Sequence, residues 1–376
     1  MILLCIVTIF SKSTTANADD RYVKLCERYF TEFAEDYGKF GQKDGFTYLY
    51  SDKKNTATIV AIPMEQKKVA VPEKINGKTV TKIELMDVFS CSSNYYFRDE
   101  FYGEHEDNPV PKVEYLSIPK TVKVINIYAG IGLTEGYCGE LQSYLVHLKK
   151  FNVASANKWY RSYKGMLYTK NGKKLLLVPR KYMAKTVKVK KGTTKIAESA
   201  FSFCTNFKKV ILPDTVKVIE QNAFECCSLN YIRMPRKLKE LGSYAFYNSA
   251  LKKITVYGKV ELDLTFQYCK KLKTVVLKEG VKKLGEYVFF ECPKLRSVTV
   301  PKGIKNLGWY IDSIFYHRGL KCNLSKITIK TPKNSEMYKE RKFLKKRYKK
   351  DSGWWDKVCT DLPEIRLKSR ISMKNW

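Results

Sequence analysis

The side chains in this sequence with the most chemical reach are cations that recur at a fixed interval. Lys209, Tyr231, Arg233 and Lys253 form one file, Lys208, Lys252, Lys273 and Arg296 a second, and Lys217, Lys239, Lys282 and Lys305 a third. Members on different rungs of a file are separated by one or more steps of roughly 22 residues, Tyr231 and Arg233 sharing one rung, and Asn230 stands in the second file and Glu261 in the third where a cation would be expected. Such residues do not make or break bonds. They hold an extended anion by many weak contacts, or they are a solvated face, and periodicity alone leaves both readings open. Like charges one rung apart repel by up to roughly a kcal/mol per pair at a hydrated surface.

Other reactive side chains point away from catalysis. Of eleven cysteines, Cys204, Cys226 or Cys227, Cys269 and Cys292 share one position of the period, with Cys91 and Cys322 in the same slot of less regular copies. A metal needs ligands that converge tetrahedrally, whereas a repeated slot makes a line. The expectation is a small side chain in a buried turn, with disulfides between rungs as the alternative for an exported chain. The three histidines, His105, His147 and His317, lack the spacing of a metal site or triad. There is no phosphate-cradling glycine loop, nucleophile elbow or paired-carboxylate motif. The sequence therefore predicts a non-enzyme with no catalytic, cofactor-binding or metal-binding residues and no cofactor.

The elements that must position these files are the repeats themselves. A phenylalanine falls at 201, 224, 246, 266 and 289, in steps of 23, 22, 20 and 23 residues. Self-similarity at such a period marks a stacked-repeat architecture. Each copy carries a short strand in which Val210 and Leu212, Ile232 and Met234, Ile254 and Val256, Val275 and Leu277, or Val298 and Val300 point inward. Their neighbours, from Lys209 and Ile211 to Lys326 and Thr328, point outward.

The motif Ile-x3-Ala-Phe-x2-Cys-x2-Leu-x2-Val-x-Leu-Pro, clearest at Ile196–Pro213, resembles the BspA-like leucine-rich repeat family. The likeness runs from about Asp44 to Lys330. It includes an entry segment at Val71–Ile83 and an element around Asn157, Gly165–Tyr168 and Leu176–Pro179 that such proteins insert between repeats. It implies an α/β leucine-rich repeat solenoid, mostly β, with a parallel sheet of short strands and short helical turns, capped by an N-terminal helix and a basic C-terminal segment. It also implies a surface or secreted protein with an adhesive role.

The chain reads in order as a signal peptide (1–18), a capping helix (19–43), the repeat solenoid (44–332) with an inserted β module at about 151–192, and a basic segment (333–376). Met1–Phe10 is apolar and is followed by Ala16-Asn17-Ala18, the pattern of a cleaved export signal. Tyr22, Leu25, Cys26, Tyr29, Phe30 and Phe33 recur at helical spacing; a partner-binding helix is the alternative to a cap. Residues 92–112, rich in Tyr, Asp and Glu, read as an inserted loop. With 70 Lys and Arg against 37 Asp and Glu, a net +33, the partner classes are anionic: a protein, an anionic polysaccharide or cell-wall polymer, or a membrane surface met by Lys339–Lys350. The export signal speaks against nucleic acid. The expected function is a secreted or cell-surface binding or adhesion module recognising an extended anionic partner. A secreted enzyme and a wall-associated scaffold are the rival readings.

Overall fold

The computed structural model describes residues 39–85, 110–126, 145–304, 306–307, 314 and 328–339. The predicted signal peptide, most of the capping helix, the acidic insert up to residue 109, and the segment beyond residue 339 lie outside the described residues, as do Cys91, Cys322, His105, His317, Lys305 and Lys326.

Apolar residues at every second position make each repeat a three- or four-residue strand buried on one face. Thr186–Lys188, Lys209–Ile211 and Tyr231–Arg233 pair in parallel, one rung above another. Lys253–Val256, Thr274–Leu277, Ser297–Thr299 and Thr328–Lys330 form a second such ladder. Lys68–Ala70, Tyr115–Ile118 and Lys150–Val153 form a third, earlier in the chain. All ten residues expected to point inward are buried.

After each strand from Thr186–Lys188 to Ser297–Thr299 the chain bends and makes a second, shorter pairing. Lys195–Ile196, Val218–Ile219 and Glu240–Leu241 stack in parallel, and so do Glu261–Leu262, Lys283–Leu284 and Asn306–Leu307. A third side of each rung is an arm of turns around the periodic phenylalanine. Here amides donate to the next rung: Ser199, Phe201 and Phe203 to the carbonyls of Gln221, Ala223 and Glu225, and Leu264, Phe266 and Tyr268 to those of Glu286, Val288 and Phe290.

Those arms correct the expected short helical turns. Each contains two residues of positive φ, four apart: Ser199 and Phe203, Asn222 and Cys226, Tyr244 and Asn248, Leu264 and Tyr268, Tyr287 and Glu291. A left-handed residue interrupts a right-handed helix; alternate amides of the arm bond to the neighbouring rung, and amides between them, such as Ser202 and Tyr247, reach only three residues back. The described fold is therefore mostly β rather than α/β, and among the described residues helix is confined to residue 314 and to 336–339. The predicted cap is also corrected at its end, because Lys39–Lys43 is a strand paired antiparallel with Phe46–Ser51.

Two insertions follow their turn chemistry. Asn76-Gly77, with φ of 46° and 76°, closes the hairpin between Lys74–Ile75 and Lys78–Ile83, as an Asn-Gly pair should. The module at 151–192 contributes Tyr160–Tyr163, Met166–Thr169 and Lys174–Leu177, joined through Lys164-Gly165 and a turn at Gly172. Its strand Lys174–Leu177 pairs in parallel with Lys195–Ile196, so the module is an elaborated rung built into the ladder.

The core is a single run of side chains inside the stack. Phe201, Phe224, Phe246, Phe266 and Phe289 form a continuous column, ring over ring, with centroids 4.6, 5.2, 5.4 and 5.7 Å apart.

Candidate functional site

The cysteine slot lies in the core. Cys204, Cys227, Cys269 and Cys292 are buried thiols outside any disulfide. Each stands three residues after its phenylalanine and donates its thiol to a carbonyl of the preceding rung: Cys227 to Phe201 at 2.8 Å, Cys269 to Phe246 at 3.0 Å and Cys292 to Phe266 at 3.1 Å. Ser249 fills the equivalent position in the third copy. The choice between adjacent cysteines falls on Cys227; Cys226 is half-buried. Burial pushes the Cys204 and Cys227 thiols well above their ordinary range, which is the state of structural rather than reactive cysteines. Among the described residues no three His, Cys, Asp or Glu side chains gather where they could hold a metal.

The cations divide. Backbone hydrogen bonds place Lys208 one rung from Lys185 (3.2 Å), Asn230 one rung from Lys208 (3.1 Å), Lys273 one rung from Lys252 (2.8 Å) and Arg296 one rung from Lys273 (2.9 Å). Beside them on the first residue of each strand stand Thr186, Lys209, Tyr231, Lys253, Thr274 and Ser297, in register within each ladder. All the Lys and Arg members of these two columns are exposed, and none makes an ion pair with a described residue. No acidic residue occupies either column between residues 185 and 297. The sequence files omitted Lys185, whose rung sits in the inserted module; its signal was Lys185-x-Val187-x-Val189, the same pattern as Lys208-x-Val210-x-Leu212.

Lys209 and Arg233, the latter outside these two columns at the third residue of its strand, have other surroundings. Lys209 lies with its Nζ 5.0 Å from the centre of the Tyr231 ring, a cation–π contact that leaves Tyr231 48% exposed. Arg233 is tied down instead: it pairs with Asp214 at 2.8 Å and donates to the Leu212 carbonyl at 3.2 Å. The Asp214 carboxylate also accepts the Arg236 amide. That amide and Arg233 hold the Asp214 carboxyl below its ordinary range. Arg233 thus fastens one rung to the next.

Lys217, Lys239 and Lys282 form a separate exposed line around the bend between the two strand sets. Here the register differs from the expected file: Lys282 follows Val260, whose carbonyl its amide meets at 2.8 Å, and Glu261 stacks against Lys283. Beyond this bend the charges are compensated. Lys174 and Lys195 both meet Glu220, and Lys283 meets Asp263 at 3.2 Å. Burial alone would raise the Glu220 carboxyl; Lys195, the Glu198 amide and Lys174 together bring it below the ordinary carboxylate range.

Two of the surface hollows lie among residues of the N-terminal half. One of about 500 Å³ lies over Lys68, Ala70, Tyr115, Ser117 and Asn152. Another of about 410 Å³ lies beside Phe40, Gln42, Tyr50, Asp52 and Lys78. In the second, hydrogen bonds from Lys39 and Lys78 bring Asp52 down to about 2. Neither hollow sets a nucleophile beside a base.

The family model described as the BspA type leucine rich repeat region matches residues 181–262 and 262–349, in six copies. Among solved structures, a leucine-rich repeat protein from Eubacterium ventriosum is 22% identical, with a TM-score of 0.47 over 68% of this chain and 65% of that one; the chain thus spans just under two thirds of that protein. The pneumococcal vaccine antigen PcpA is 17% identical, with a TM-score of 0.40 over 81% of this chain and 95% of that one. A leucine rich cell surface protein from Faecalibacterium prausnitzii is 18% identical, with a TM-score of 0.36 over 80% and 91%. No curated protein matches the chain.

Proposed function

We propose that this chain, which belongs to the BspA-type leucine-rich repeat proteins through residues 181–262 and 262–349, is an exported surface module that binds an extended anionic partner along the outer columns of its first strand set. The observation that carries the reading is the acid-free run of exposed cations between Lys185 and Arg296. Elsewhere in the same fold lysines are given carboxylate partners, as Lys174 and Lys195 are by Glu220. Leaving one face uncompensated costs repulsion between rungs about 4.8 Å apart, and a polyanion laid across the rungs removes that cost. The apolar Met1–Phe10 run with Ala16-Asn17-Ala18 supports export. The cations of Lys339–Lys350 supply a further contact for an anionic wall polymer or membrane surface.

The test is retention on an immobilised sulfated glycan and on purified cell-wall polymer. Affinity should fall at least about tenfold between about 50 and about 200 mM salt, because each neutralised charge releases counterions. The double variant Lys252→Glu, Lys273→Glu should weaken retention by a similar factor or more. Arg233→Glu is a poor probe, since it also breaks the Asp214 pair. Retention indifferent to both salt and charge reversal would sink the reading.

A further inference from the structure

We infer that the anionic partner is a linear polysaccharide, read at the centre of the cation track by Tyr231. The inference rests on the anionic reading above and deepens it. The track is not uniform: its middle rung offers Asn230 and Tyr231, an amide and an aromatic ring, where the rungs on either side offer Lys208 with Lys209 and Lys252 with Lys253. Tyr231 is the residue in these two columns with a large exposed apolar surface, at 48%. It stands at a seam, because Tyr231–Arg233 closes one hydrogen-bonded ladder and Lys253–Val256 opens the next.

A ligand that satisfies both surroundings needs anionic groups at either side and, between them, a carbon-rich face for the ring. A pyranose of a uronate- or sulfate-bearing chain has such a face of C–H groups, and its hydroxyls suit an amide. The advance of one sugar along such a chain is comparable with the rung spacing of about 4.8 Å, so successive charges can meet successive rungs. Polyphosphate supplies the charges but has no face to lay on Tyr231. Lys209, held 5.0 Å from the ring centre, keeps the ring oriented and presents its own charge beside it.

The experiment measures binding of the full chain to heparin oligosaccharides, to polygalacturonate and to long-chain inorganic polyphosphate. Tyr231→Ala should weaken both glycans about tenfold, the scale of one lost aromatic contact, and leave polyphosphate within about twofold, while Tyr231→Trp should retain glycan binding. The double variant Lys252→Ala, Lys253→Ala should weaken all three. If Tyr231→Ala leaves the glycans unchanged, or weakens polyphosphate equally, the glycan assignment is overturned while the anionic reading stands. If the wild-type chain binds none of the three, the anionic reading fails and this inference fails with it.

Discussion

At the scale of single residues, the cysteines carry the most instructive result. Their slot takes a short side chain, and the thiols of Cys227, Cys269 and Cys292 donate a hydrogen bond there to a carbonyl of the preceding rung; Ser249, in the same slot, is small enough to fit and meets the Cys269 thiol at 3.4 Å. The test site is Cys269, which is fully buried and bonds Phe246 at 3.0 Å. Cys269→Ala removes that donor and some packing and should cost about 1–2 kcal/mol in urea unfolding. Cys269→Ser should cost measurably less. If the two variants are equally destabilised, the donor role is wrong and only volume matters.

At the scale of elements, the arms and the short third copy govern the fold. The step from Phe246 to Phe266 is 20 residues rather than 22 or 23, and the two strand ladders break at the same place, between Tyr231–Arg233 and Lys253–Val256 and between Glu240–Leu241 and Glu261–Leu262. The chain keeps its rungs in contact there through Gly258. Its φ is +96°, and a Cβ would lie 2.1 Å from the Leu238 carbonyl oxygen, which accepts the Lys259 amide at 2.9 Å. Gly258→Ala therefore combines unfavourable φ with a backbone clash and should destabilise by at least about 2 kcal/mol. Gly192→Ala is the control: φ is also positive but nothing lies within 4 Å, so its cost should be the smaller. Thermal unfolding of the pair decides, and equal losses would show that φ strain alone is at work.

At the scale of the whole molecule, charge is distributed unevenly. Carboxylates are spent on ties between rungs, such as Glu220 with Lys174 and Lys195 and Asp214 with Arg233, while the track from Lys185 to Arg296 has none in its columns. Since the Debye length at low salt exceeds the rung spacing, repulsion along the track should lower the stability of the free protein. Melting temperature should accordingly rise with added sodium chloride at constant pH, and rise further with a bound polyanion by mass action. A melting temperature that falls or stays flat with salt would mean that the cations are already compensated.

The sequence by itself determined the parts of this protein that follow from period and alternation. A hydrophobic residue at every second position and a phenylalanine at each repeat leave one way to bury both, and the ten inward residues, the phenylalanine column and the Asn76-Gly77 hairpin were legible for that reason. It also placed the cysteines in the core, because a line of thiols cannot wrap a metal. The tertiary structure decided what depends on neighbours in adjacent rungs. Helical turns became positive-φ arms, because alternate amides find carbonyls one rung away and those between them reach three residues back rather than four. Arg233 left the ligand-facing set because Asp214, in the preceding rung, claims it. Lys185 joined the track because its rung, disguised in sequence by the inserted module, stacks beside Lys208. Outward direction can be counted along a strand, but whether an outward charge is spent or available depends on a partner about 20 residues away.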